Sequence, residues 1–166
     1  MSYSLRPPME DDWPGILAAA DAAVPWAGED NRRWLENRRG YAARGLPQRH
    51  YVAEEQDTRQ VVGYGAVEGV KTPGLFRVFV VMNPVLLAGE LGQLMYAKLS
   101  ADLGDLRADK AFACEWEYDR DILAFFAARG LSEVRRDVQP DGNIYIGVER
   151  IFTPKKGDAS FHQYSV

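Results

Sequence analysis

The residues whose types and spacing could do chemistry begin where a run of strand-forming residues stops. Val78, Phe79, Val80, Val81 and Met82 lead into Asn83-Pro84, and two glycines, Gly89 and Gly92, follow at the start of a helical apolar pattern. A helix start carries unpaired N–H groups and a partial positive charge, so it can seat a phosphate. Glycine there lets a ligand approach the backbone closely. The same glycines serve as packing or capping residues in many strand–loop–helix connections. The other reactive side chains are scattered. Cys114, mid-strand among Phe112, Ala113 and Trp116, reads as a small core residue rather than a nucleophile. His50 opens a strand after a loop and reads as a surface residue, and His162 lies in the tail. Two histidines and one cysteine, far apart, make no metal site. Arg32-Arg33 and Arg38-Arg39 read as the solvated face of one helix.

The elements that must position these residues follow from period and punctuation. Residues 3–6 alternate and are stopped by Pro7-Pro8; acidic residues 10–12 and Pro14 then open a helix that Pro25 stops. A second helix runs from residue 29 towards Gly45, a C-terminal cap. From His50 the period changes to that of strands at 50–54, 60–67 and 75–82. Residues 89–103 are helical, 111–116 form a strand, and Asp119 caps a helix closed by Gly130. A last pair of strands, 131–138 and 143–151, is joined by Gln139-Pro140-Asp141-Gly142. The order is β-α-α-β-β-β-α-β-α-β-β, which implies one α/β (α+β) domain over 1–152, a mixed sheet covered on both faces, and a polar tail, 153–166.

Composition excludes several classes. The chain has 166 residues, 46% of them apolar and 27% charged, which fits a single folded domain and not a disordered or fibrous chain. A net charge of −4 argues against a nucleic-acid partner, and Lys155-Lys156 is too short for a basic patch. The single cysteine suits a reducing cytoplasm, and neither a signal peptide nor a run of ~20 apolar residues points to a membrane.

This order of elements, with that loop at its centre, resembles the GCN5-related N-acetyltransferase (GNAT) superfamily over residues 3–150. In that family the fourth strand ends in a V-x-P-type sequence, and an R/Q-x-x-G-x-G/A loop wraps the coenzyme A pyrophosphate. Val80, Val81, Met82, Asn83 and Pro84 fit the strand end. Leu87, Ala88, Gly89, Glu90, Leu91 and Gly92 occupy the loop register, with Leu87 where arginine or glutamine is usual, Glu90 where the first glycine is usual, and Gly92 matching the last. The family also carries N-x-x-A-hydrophobic-x-F-Y-x-x-x-G-F on a helix leaving the fifth strand. The stretch from Asp119 through Phe125, Phe126 and Gly130 to Leu131 lies over it with unbroken spacing.

The resemblance implies a mostly antiparallel sheet of about seven strands flanked by about four helices, with a splay between strands 4 and 5. It implies acetyl-coenzyme A as cosubstrate, no metal, an amine acceptor on a small molecule or peptide, direct attack in a ternary complex, and a possible homodimer. Val80, Val81 and Met82 would hold the pantetheine amides, and main-chain amides of Leu87, Ala88, Gly89, Glu90, Leu91, Gly92 and Gln93 the diphosphate, with Asp119 and Phe126 beside the thiol end. An amine of pKa near ~10.4 must lose a proton before it attacks. Near the splay stand Glu115, Glu117 and Tyr118, of which Glu117 and Tyr118 are the catalytic candidates; each reads equally as a strand-end residue. Trp26 and Trp34, beside the second helix, and its arginines, could shape an acceptor site for an acidic substrate. Three departures favour a rival reading, a binding or dimerisation module that no longer turns over. Leu87 lacks the usual polar side chain. Glu90 sets a carboxylate by the diphosphate, a repulsion of about 4 kcal/mol at ~4 Å and an effective dielectric of ~20. Phe126 replaces the tyrosine that protonates the departing thiolate, although a thiol pKa near ~8.5 makes that loss tolerable. A cleft plugged by Phe126, Trp116 or the tail would favour the module.

Overall fold

The computed structural model describes residues 2–152, and the expected tail with Lys155, Lys156 and His162 lies outside the described residues. The elements are β1 (Tyr3–Arg6), α1 (Trp13–Ala23), α2 (Gly28–Tyr41), β2 (Gln48–Glu55), β3 (Val61–Gly69), β4 (Leu75–Met82), α3 (Pro84–Ala88), α4 (Glu90–Asp105), β5 (Lys110–Trp116), α5 (Arg120–Ala127), β6 (Ser132–Val138) and β7 (Ile144–Ile151). Local chemistry sets several boundaries. Pro14 sits in the first turn of α1, where its missing N–H costs nothing. Gly45 takes φ +68 after the 3-10 turn that ends α2, a left-handed conformation that glycine adopts without a Cβ clash.

All seven strands join one sheet in the order β1-β2-β3-β4-β5-β7-β6. Every neighbouring pair is antiparallel except β4 and β5. Their parallel pairing is short: Leu75 with Lys110, Phe76 with Ala111 and Arg77 with Phe112. β4 continues to Met82 alongside β3, and β5 continues to Trp116 alongside β7, so the two strands part in the middle of the sheet.

Two cores hold the sheet. Val78, Val80, Met82, Leu91, Met95, Leu99, Phe125, Phe126, Ile146 and Val148 pack on the face carrying α4 and α5. Ile16, Leu35, Val52, Tyr64, Ala66 and Phe79 pack on the face carrying α1 and α2. Full burial of such side chains stabilises by roughly 1.5–3 kcal/mol each. Arg6 anchors the second layer: its guanidinium donates to both Asp12 oxygens at 2.7 and 2.9 Å and to Glu54 at 2.8 Å, fixing the entry to α1 against β1 and β2.

Two differences from the sequence expectation have physical causes. Five helices are present among the described residues rather than about four, because residues 84–88 form a single helical turn, α3. Asn83 Oδ1 accepts the Val85 N–H at 2.8 Å and caps it. One turn is too short for its periodicity to register in sequence. Nor does the expected cover on both faces reach β6, whose residues are all exposed. Its charges pair along the edge, Arg135 with Asp137 and Arg136 with Glu133, which blunts the edge against further strands. No helix among the described residues is long and apolar enough to cross a membrane.

Candidate active site

Beyond Arg77 and Phe112 the diverging strands enclose a cleft of about 720 Å3, within the usual range of small-molecule sites. One wall is Phe79, Val80, Val81 and Met82 of β4; the other is Cys114, Glu115 and Trp116 of β5, with Tyr118 and Asp119 past its end. The β4 backbone here has no ladder partner on the β5 side, so its edge is free to bond an extended ligand. Strand alternation sorts the side chains. Phe79 faces α1 and α2, with the Trp34 ring edge-on at 4.9 Å, whereas Val80 and Met82 belong to the core under α4. Trp116 stands edge-on to Tyr145 at 4.3 Å and parallel to Tyr118 at 6.0 Å. Trp26, between α1 and α2, closes on Tyr118 from across the mouth. Trp116 lines the wall, and Phe126 is wholly buried in the α4–α5 core, so neither plugs the cleft.

The acidic groups divide sharply. Glu115 is half-buried in the wall, and loss of solvent together with the charge of Asp119 pushes its carboxyl up to about 8. Burial pushes Asp119 up to about 6. At neutral pH Asp119 is thus mostly ionised and Glu115 mostly protonated, one able to accept a proton and the other to donate one. Asp119 does not cap α5 with its side chain, contrary to the sequence reading; only its carbonyl takes part, accepting the Leu123 N–H at 3.2 Å. Tyr118 is exposed at the mouth, its hydroxyl pushed up by burial and by Asp119. Glu117 is exposed, pairs with Arg136 and does not line the cleft, because alternation turns it away from the wall formed by Trp116. The Cys114 thiol lines the wall and is pushed up by burial, which keeps it protonated.

At the loop after β4 the expected convergence of amides needs correction. The Leu87 N–H donates to the Asn83 carbonyl at 2.9 Å, that of Gly89 to Leu86 at 3.2 Å and that of Gln93 to Gly89 at 3.4 Å. These three amides are committed within the chain, and Ala88 belongs to α3. What the loop offers a diphosphate is the first turn of α4: the amides of Glu90, Leu91 and Gly92, which have no carbonyl four residues back in their own helix. Glu90 is exposed there, while Leu91 is buried in the core. Gly92 has a packing role that spacing alone did not show. A Cβ on it would lie 2.0 Å from the Leu87 carbonyl oxygen, so glycine is what lets α3 dock on α4. A pantetheine arm fits the parted strands, and the diphosphate end has a narrow seat.

Other readings change with burial. His50 is not a surface residue. Its side chain is 12% exposed, with Nδ1 2.7 Å from the Tyr64 hydroxyl and Nε2 2.7 Å from Gln48 Oε1. Arg38 leaves the solvated helix face and is 9% exposed at the back of the cleft. Arg77, hidden in sequence by a strand that reads as wholly buried, also reaches the cleft; a lone cation among apolar residues was the available signal.

No protein-family model matches the sequence, and no curated protein matches it. Solved structures do. An acetyltransferase of the GNAT family from Staphylococcus aureus Mu50 superposes with a TM-score of 0.72 at 9% identity, over 92% of this chain and 100% of that one. The PaiA N-acetyltransferase from Thermoplasma acidophilum, solved in complex with coenzyme A, gives 0.68 at 11% identity over 92% and 100%. A ribosomal-protein-alanine N-acetyltransferase from Brucella melitensis gives 0.65 at 23% identity over 90% and 99%. The chain has the fold of the GNAT acetyltransferases.

Proposed function

We propose that the chain is an acetyl-coenzyme A-dependent N-acyltransferase that acylates a primary amine of a small molecule or peptide with both substrates bound together. The observation that carries this reading is the open cleft where β4 and β5 part, in a chain of this fold. Acetyl-coenzyme A supplies a thioester carbonyl that an unprotonated amine can attack. The free edge of Val80, Val81 and Met82 holds the pantetheine amides by main-chain bonds and fixes the carbonyl between the strands. A strand N–H on that edge stabilises charge developing on the carbonyl oxygen. The first turn of α4 takes the diphosphate, against the charge of Glu90.

Asp119, ionised at neutral pH, takes the proton from the acceptor ammonium directly or through water. Glu115 holds a proton close by and makes up for the absence of a hydroxyl at Phe126. Tyr118, with Trp26, orients the acceptor at the mouth. Glu117, turned outward to Arg136, has no step.

Isothermal titration with acetyl-coenzyme A tests the reading. Micromolar affinity, followed by acetyl transfer to amines, is the expected result. No binding at millimolar ligand overturns it, and binding without transfer to any amine leaves the module.

A further inference from the structure

At the closed end of the cleft, where the β4–β5 pairing ends, lies a polar cluster that the chemistry above does not use. Glu68 is wholly buried on β3. Its Oε1 pairs with the guanidinium of Arg38 from α2 and, at 3.5 Å, with that of Arg77 from β4. His50 approaches Glu68 Oε2 at 3.6 Å, and burial beside Arg38 holds its imidazole down near 4, so it stays neutral at neutral pH. With Glu68 ionised, the cluster carries one excess positive charge; with Glu68 protonated, it carries two. Such a charge is costly to bury unless it is paired.

The cluster opens towards the cleft. Arg38 and Arg77 both line the same space as Phe79, Trp116 and Tyr145. The Arg38 Nε is buried without a hydrogen-bond partner, and Arg77 is 36% exposed with one long contact to Glu68. Both guanidiniums lie against aromatic rings, Arg38 5.9 Å from the centres of Trp34 and Phe79 and Arg77 5.5 Å from that of Phe112. Planar donors held in this way suit a carboxylate.

We infer that the acceptor is an amine that also carries a carboxylate, which Arg77 and Arg38 bind at the closed end of the cleft among aromatic side chains. This deepens the acyltransferase reading and rests on it for the word acceptor. The binding itself is testable without acetyl-coenzyme A. L-phenylalanine against phenethylamine, and L-lysine against cadaverine, are amines matched with and without the carboxylate. Titrated into the full chain at low salt, the carboxylate member of at least one pair is expected to bind ten-fold or more tightly than its partner. Arg77→Met is expected to erase that preference and Arg77→Lys to restore part of it. Arg77 is chosen because removing the more deeply buried Arg38 would leave Glu68 uncompensated and threaten folding. Equal affinity within both pairs, no binding of any of the four, or a preference that survives Arg77→Met would overturn the inference. Acetyl-coenzyme A binding, measured separately, would still stand or fall alone.

Discussion

Trp26 and Tyr118 meet edge to face at 5.8 Å across the mouth of the cleft, one from the turn between α1 and α2 and the other from the turn between β5 and α5. Both rings are largely exposed, at 62% and 45%, so the pair contributes little to the core. Its effect is on entry. Trp26→Ala is expected to raise the acceptor KM about tenfold, the equivalent of one lost aromatic pair, and to change stability by under ~0.5 kcal/mol. Steady-state kinetics with a thermal melt checks both halves.

Gly92 and Gly104 lie in the same helix and should answer substitution oppositely. Gly92→Ala drives a Cβ into the Leu87 carbonyl and should cost roughly 1–3 kcal/mol while weakening acetyl-coenzyme A binding. At Gly104 a Cβ meets nothing within 4 Å, so Gly104→Ala should gain up to ~1 kcal/mol through helix propensity. Denaturant melts of the two variants and titration of the first decide the matter.

Glu115→Gln is expected to be more stable and less active. A carboxyl raised from 4.5 to about 8 in the folded state binds its proton more tightly there than in the unfolded chain. The stability that this proton contributes is present below pH 4.5 and lost as pH rises towards 8, and the glutamine variant escapes that loss. The wild type should therefore fall behind the variant by a few kcal/mol across this window. If the same proton serves the leaving thiolate, kcat should drop in the variant and the alkaline limb of its pH profile should flatten.

His50 has the opposite sign. Its imidazole falls from 6.5 to about 4 on folding, so protonation favours the unfolded chain. Stability is complete above pH 6.5 and is lost as pH falls towards 4, by up to ~3 kcal/mol. In urea melts between pH 4 and 7, His50→Gln should show a flatter acid limb than the wild type.

The strands and long helices were legible because their apolar residues repeat at regular spacing and are bounded by proline, glycine and acidic residues, as at Pro25, Gly45 and Asn83-Pro84. The splay could be placed only through resemblance, since no residue type marks where parallel pairing stops. α3 was illegible because Val85, Leu86 and Leu87 make a single turn. The outward direction of Glu117, the burial of His50 and Arg38, and the contact of Gly92 with Leu87 depend on residues distant in the chain. Spacing reports which residue is present, and only packing reports which way it points.

The docking of α3 on α4 through Gly92 also bears on how a coenzyme would be gripped. With the amides of Leu87, Gly89 and Gln93 turned inward, the nucleotide half of the molecule meets few donors, and an exposed acid stands beside them. Most of the recognition is then left to the arm between the strands. Truncated thioesters such as acetyl-pantetheine should consequently keep kcat/KM within about tenfold of the whole coenzyme, a difference near 1.4 kcal/mol.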